Sequence, residues 1–219
     1  MSATYSQPTS LYRAVQGLGF TFLISASGLA MATESATVQH QIEVAGQTHL
    51  VIDNGVGSIE LRYSDSPYVE VEVALEGKRS GWLRRKVDVS EMDIRQRISN
   101  DTIRLSFNED NVNARFIVYA PSFAQTQMNL GVGQVSSRYF EGDLSISVGV
   151  GEAQVTLDPK QLGSVSASVG VGGIDTPGVN GFTVERRVVS ATLGGQGEGD
   201  YRLSIDVGVG DINIAARSE

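Results

Sequence analysis

Ile146-Ser147-Val148-Gly149-Val150-Gly151-Glu152-Ala153-Gln154-Val155 carries two alternating patterns that do not share a phase. Ile146 and Val148 are apolar on either side of Ser147, and Val150 continues that series. Ala153 and Val155 flank Gln154 but fall one residue late. Each flank has the period of two of a half-buried strand. A slip of one residue at a pair of glycines is what a corner or bulge produces, and glycine permits the positive φ that such a corner often needs.

The pattern repeats. Asn54-Gly55-Val56-Gly57-Ser58-Ile59, Leu130-Gly131-Val132-Gly133-Gln134-Val135, Val169-Gly170-Val171-Gly172-Gly173-Ile174 and Val207-Gly208-Val209-Gly210-Asp211-Ile212 are the other copies, and Leu193-Gly194-Gly195-Gln196 is a degenerate one. First glycines are spaced by 18 from Gly131 to Gly149, by 21 to Gly170 and by 38 to Gly208. The last interval equals two repeats if Gly194 marks a corner. Self-similarity near 20 residues is the signature of stacked rungs, none of which can bury its apolar face alone. The expectation is an all-β chain forming a single parallel β-solenoid (β-helix) of short stacked strands, with rungs of about 20 residues. Its structural corners are Gly55, Gly57, Gly131, Gly133, Gly149, Gly151, Gly170, Gly172, Gly208 and Gly210. The outward residues two before each first glycine are Asp53, Asn129, Ser147, Ser168 and Asp206, a column suited to hydrogen bonding between rungs.

The 219 residues suffice for one domain with a good core. A formal charge of −8 disfavours nucleic acid as a partner. The absence of cysteine excludes disulfides, thiolate metal sites and cysteine nucleophiles. Near the N-terminus an apolar run, Gly17 to Ala32, ends in Ala30-Met31-Ala32, the small-x-small pattern of a signal-peptidase site. Residues 1–32 therefore read as a signal peptide, and residues 33–219 as the solenoid domain of a periplasmic or secreted protein. Within it, 33–120 form less regular rungs and 121–215 the regular ones. No segment after the cleavage site is suited to cross a membrane as a helix.

Between the strands expected over Tyr68–Leu75 and Val87–Ile98, one segment breaks the acidic background. Lys78, Arg79, Arg84, Arg85 and Lys86 place five cations beside Trp82, the only tryptophan. Such a protruding loop suits an anionic surface, with Trp82 as an interfacial anchor; a solvated hairpin is the alternative.

Catalytic motifs are missing. His40 and His49 lie in alternating strand-like context, Gly-x-Ser-x-Gly does not occur, and the Gly-Val-Gly copies precede strands instead of helices. Glu152, Asp175, Asp206 and Asp211 lie near corners, where calcium could find oxygen ligands, but no dense carboxylate loop accompanies them. The expectation is a non-enzymatic chain with no cofactor and no metal.

The repeated rungs, the leader and the Gly81-Trp82-Leu83-Arg84-Arg85-Lys86-Val87-Asp88-Val89-Ser90 insertion together resemble the bacterial toast-rack proteins, the putative-adhesin domains of unknown function. The resemblance covers most of Val38–Ile214. It implies a β-solenoid and an exported structural or interaction protein of the bacterial cell envelope, adhesin-like in role, and it brings no catalytic residues. The partner would be an envelope protein, a glycan or an anionic lipid surface. The alternatives are a glycan-binding or glycan-active β-helix and a cation-binding solenoid.

Overall fold

The computed structural model describes residues 34–80, 85–138, 140–179 and 182–217. The leader expected over residues 1–32 lies outside them. Strands β1 (Ser35–Glu43), β2 (His49–Tyr63), β3 (Tyr68–Gly77), β4 (Arg79–Ser80) and β5 (Arg85–Lys86) come first. They are followed by β6 (Arg95–Ile98), β7 (Thr102–Phe107), β8 (Val112–Ala120), β9 (Gln125–Arg138) and β10 (Asp143–Leu157). The chain ends with β11 (Leu162–Val171), β12 (Ile174–Asp175), β13 (Thr183–Arg186), β14 (Ala191–Gln196) and β15 (Tyr201–Ala216).

Four of these strands are long and continuous through Gly-Val-Gly, so the two flanks of each copy are two arms of one strand. In β10 the inward residues are Leu144, Ile146 and Val148 before the glycines and Ala153, Val155 and Leu157 after them. Val150 belongs to neither set. It points outward, as do Val56, Val132, Val171 and Val209, all 46–50 % exposed. The phase slip thus lets both arms turn their apolar rows into one core, which runs from Leu50 and Ile52 to Ile212 and Ile214.

The two glycines of each copy serve different needs. Gly57, Gly133, Gly151, Gly172 and Gly210 have φ between +134 and +144, where L side chains are strained. The first glycines do not. At Gly149 the constraint is close approach: a Cβ there would lie 2.6 Å from the carbonyl oxygen of Gly131 on the next strand. The expectation of positive φ therefore applies to the second glycine of each pair, and packing alone explains the first.

The parallel solenoid expected from the repeat does not form. The molecule is all-β, but its 13-stranded sheet is mixed, in the order β1-β3-β8-β2-β9-β10-β15-β11-β14-β13, and it does not close. Strands β2, β9, β10, β15 and β11 are parallel and stack with their Gly-Val-Gly copies in register. Chain order and spatial order diverge at β15, which enters between β10 and β11. A solenoid lays each rung on the one before it. Here the chain instead runs past β11 into the antiparallel pairs β13–β14 and β14–β11, then returns as β15. Gly194, expected to mark a corner, lies within β14, opposite Ser166 of β11. At the other side β3 and β1 add antiparallel strands to β8, and β6 adds one to β7. Short turns account for two of these reversals, β6–β7 across 99–101 and β13–β14 across 187–190, because an antiparallel neighbour needs only a turn.

One further rung carries no Gly-Val-Gly. β7 pairs with the first arm of β2 and β8 with its second arm. The link at Asn108-Glu109-Asp110-Asn111 takes the place of the corner, with Asn111 at φ 60, a region asparagine tolerates. The strand expected over Val87–Ile98 is confined to Arg95–Ile98. Upstream of it, Asp88 caps the amide of Ser90 and Met92 turns back onto Val89, so Val89 and Ile94 plug the core from a loop.

Candidate interaction surface

The parallel register sets outward side chains in straight rows across the second arms. One row reads Arg115, Ser58, Gln134, Glu152 and Asp211. The next reads Glu72, Ile117, Glu60, Ser136, Gln154 and Asn213. The third contains Tyr119, Arg62, Arg138 and Thr156. With β1 and β3 on one side and β15 and β12 on the other, eight strands at about 4.8 Å make this face roughly 34 Å wide. Two adjoining open depressions of about 460 and 470 Å³ lie on it. They share Glu60, Gln134 and Ser136.

Glu60 is the hub of the face. Its carboxylate accepts from Arg62 Nε at 2.9 Å, and Arg138 stands 3.9 Å away. Arg62 also donates to the Tyr119 hydroxyl at 2.7 Å and lies 5.3 Å over its ring. The bond to Glu60 is the main cause that raises the already high Arg62 pKa, so this cation is permanent. Gln154 donates to Glu152 at 2.7 Å, which fixes that amide within the ladder. The surface thus presents ordered amides, hydroxyls and one charge cluster on a rigid sheet. It can hold a polymer by many hydrogen bonds.

The opposite face, on the first arms, holds the expected column. Asp53, Asn129, Ser147, Asp206 and Ser168 form one row in that spatial order. Asn129 donates to Asp53 at 2.6 Å, Arg104 pairs with Asp53 at 2.6 Å, and Ser168 donates to Asp206 at 2.5 Å.

Other sequence-derived candidates are dispersed. In the basic segment, β4 and β5 form a two-stranded hairpin. Lys78 is tied to Glu76 at 2.9 Å and Lys86 to Glu34 at 2.5 Å, while Arg79 is exposed. The bond from Lys78 is the main cause that lowers the Glu76 pKa. Trp82 and Arg84 lie outside the described residues, as does the side chain of Arg85. His40 binds Asp93 at 2.7 Å and so ties β1 to the plug loop, and His49 bonds the Thr48 hydroxyl at 2.9 Å. The four acids considered for calcium do not converge. Glu152 and Asp211 share a row, Asp175 lies 3.6 Å from Arg186, and Asp206 is on the other face. Among the described residues no group of three or more potential ligands could hold a metal ion, and no helix is long and apolar enough to cross a membrane.

Along the chain Glu152 and Asp211 stand out only as acids near corners, and nothing there gathers the polar rows around Glu60. Stacking the repeats on their second glycine would have exposed them, since the next outward positions are Ser58, Gln134, Glu152 and Asp211.

No protein-family model matches the sequence, and no curated protein matches it either. A "putative cell adhesion protein" from Clostridium sporogenes superposes with a TM-score of 0.51 at 18% identity, over 84% of this chain and 100% of that one. This chain shares its fold. At that identity the likeness is one of architecture. A "putative adhesin" from Parabacteroides distasonis aligns at a TM-score of 0.32 and 12% identity, over 83% of this chain and 75% of that one. Another, from Bacteroides fragilis, aligns at 0.27 and 12%, over 82% and 97%. The adhesion-related names belong to those proteins, and what the first of them shows for this chain is the fold.

Proposed function

We propose that this protein is a non-enzymatic, adhesin-like interaction module exported to the bacterial cell envelope. Its binding surface is the polar face centred on Glu60. The observation that carries the proposal is the register itself. It aligns Ser58, Gln134 and Glu152, and beside them Glu60, Ser136 and Gln154, as evenly spaced donors and acceptors on a sheet that cannot flex independently strand by strand. A repetitive partner suits such a ladder, and a surface polysaccharide with regularly spaced hydroxyl or carboxylate groups is the partner class it fits best. Hydrogen bonds of this kind contribute on the order of 1 kcal/mol each, so affinity arises from their number. The adhesin-named neighbours support the role at the level of fold.

The test is binding of the exported protein to envelope polysaccharides on a glycan array. Gln134→Ala with Gln154→Ala should weaken capture, and Ser145→Ala with Ser204→Ala, on the other face, should not. Absence of binding to any polysaccharide, or equal loss in both pairs, refutes the assignment. N-terminal sequencing of the same material, with Thr33 expected first, tests export.

A further inference from the structure

Free strand edges are hazards, and proteins blunt them with shortness, charge, proline or bulges. β6, paired only with β7, has four residues, all exposed, with Arg95 and Arg97 among them. β13, paired only with β14, also has four and ends in Arg186. β1 is different. It has nine residues, pairs with β3 at every one of them, and contains no lysine, arginine or proline. No described residue makes a hydrogen bond to its outer backbone edge.

The core is also unfinished along β1. Its inward residues Ala36 and Val38 are only partly buried, whereas their partners on β3, Leu75 and Val73, are fully so. One more strand would extend the ladder and cover this apolar strip together.

We propose that β1 is the pairing edge for a second copy of this chain, joined antiparallel about a two-fold axis at Gln39. The hydrogen-bond phase fits. Gly77 donates to the Glu34 carbonyl, so even-numbered residues bond to β3. The backbone groups of Ser35, Thr37, Gln39, Gln41 and Glu43 therefore face outward. A two-fold at Gln39 sets Gln39 against itself, Thr37 against Gln41 and Ser35 against Glu43, all outward-bonding positions. It forms roughly ten backbone hydrogen bonds. On the inner face Ala36 meets Ile42 and Val38 meets His40. No like charges oppose each other, and Glu43 approaches the end of the partner strand where Lys86 holds Glu34. An isologous contact of this kind closes on itself and leaves no edge for a third copy.

The test uses exported protein from cells expressing the full chain. Sedimentation across a concentration series should show a reversible dimer, and hydrogen exchange should slow at the outward amides of β1. Gln39→Pro removes only an outward donor and Gln39→Lys sets like charges face to face. Each should weaken the dimer, Gln39→Pro by about tenfold or more, with unchanged circular dichroism. The chain has no cysteine, and paired Cα atoms at about 5.5 Å suit a disulfide, so Gln39→Cys should cross-link on oxidation. A monomer at every concentration, a dimer untouched by both Gln39→Lys and Gln39→Pro, or slow exchange of these amides in a monomer would overturn the proposal. Should Gln39→Pro fail to fold, Gln39→Lys and the cross-link decide.

Discussion

Replacing Gly151 with alanine should be among the most damaging single-methyl changes in the molecule. Two costs combine there. The residue sits at φ +144, a region an L side chain occupies only under strain of about 1–3 kcal/mol. An added Cβ would also fall inside van der Waals contact of the Gly133 carbonyl on the neighbouring strand. That obstacle is backbone within a ladder, so no rotamer change relieves it, and overpacking of this kind costs about 1–3 kcal/mol. The sum, about 2–6 kcal/mol, is a large share of the roughly 5–15 kcal/mol that holds a domain folded. Three controls separate the costs. Gly149→Ala meets a carbonyl at 2.6 Å without a positive φ, Gly46→Ala has φ +97 with no atom within 4 Å, and Gly194→Ala has neither problem. Urea unfolding followed by far-UV circular dichroism should rank Gly194→Ala near wild type, the two single-cost variants in the middle and Gly151→Ala last. A Gly151→Ala midpoint equal to that of Gly149→Ala would refute the reasoning about the corner.

Ser137 is fully buried beside Leu61 and Val155, and among the described residues its hydroxyl has no hydrogen-bond partner. Ser137→Val should therefore raise stability by about 1 kcal/mol, and a lower melting temperature would show that the hydroxyl is satisfied. Asp101 has its pKa lowered, chiefly by the Thr102 hydroxyl and then by Ser99. A carboxylate depressed in the folded state stabilises above its unfolded pKa and loses that contribution as pH falls through the folded one. Asp101→Asn should thus be less stable than wild type at pH 7, and the gap should close as pH drops below the ordinary value of 3.8; a gap that persists in acid would contradict this. Co-sedimentation with anionic vesicles at low salt, released as salt rises, is expected for the basic hairpin, and replacing Arg84, Arg85 and Lys86 with serine should abolish it. Equal sedimentation of that triple variant would discard the hairpin as a surface anchor.

The resemblance to putative-adhesin domains was legible in the repeats, but the face proposed as the binding surface was not. Glu60 and Arg62 are near neighbours on β2, but Arg138 joins them only because β9 lies beside β2. The basic segment drew attention by composition, yet two of its cations are neutralised by Glu34 and Glu76, acids that no sequence rule assigns to them.

The sequence by itself determined most of the core-facing rows, although Val150, which continues the alternation, points outward. Alternation and its slip at Gly-Val-Gly are local properties, set by the pleat and by what glycine permits, so Ile146, Val148, Ala153 and Val155 could be placed inward without knowing their neighbours. It also marked Asp53, Asn129, Ser147, Ser168 and Asp206 as one outward set. Only the tertiary structure decided who lies beside whom. Every strand edge offers the same backbone donors and acceptors, so pairing partners are chosen by long-range packing and turn length. That choice put β15 between β10 and β11, reversed β14 against β11, and turned the expected solenoid into a mixed, folded sheet. It also built a rung from β7 and β8 without any glycine corner, because the Asn108–Asn111 link supplies the bend from a different sequence.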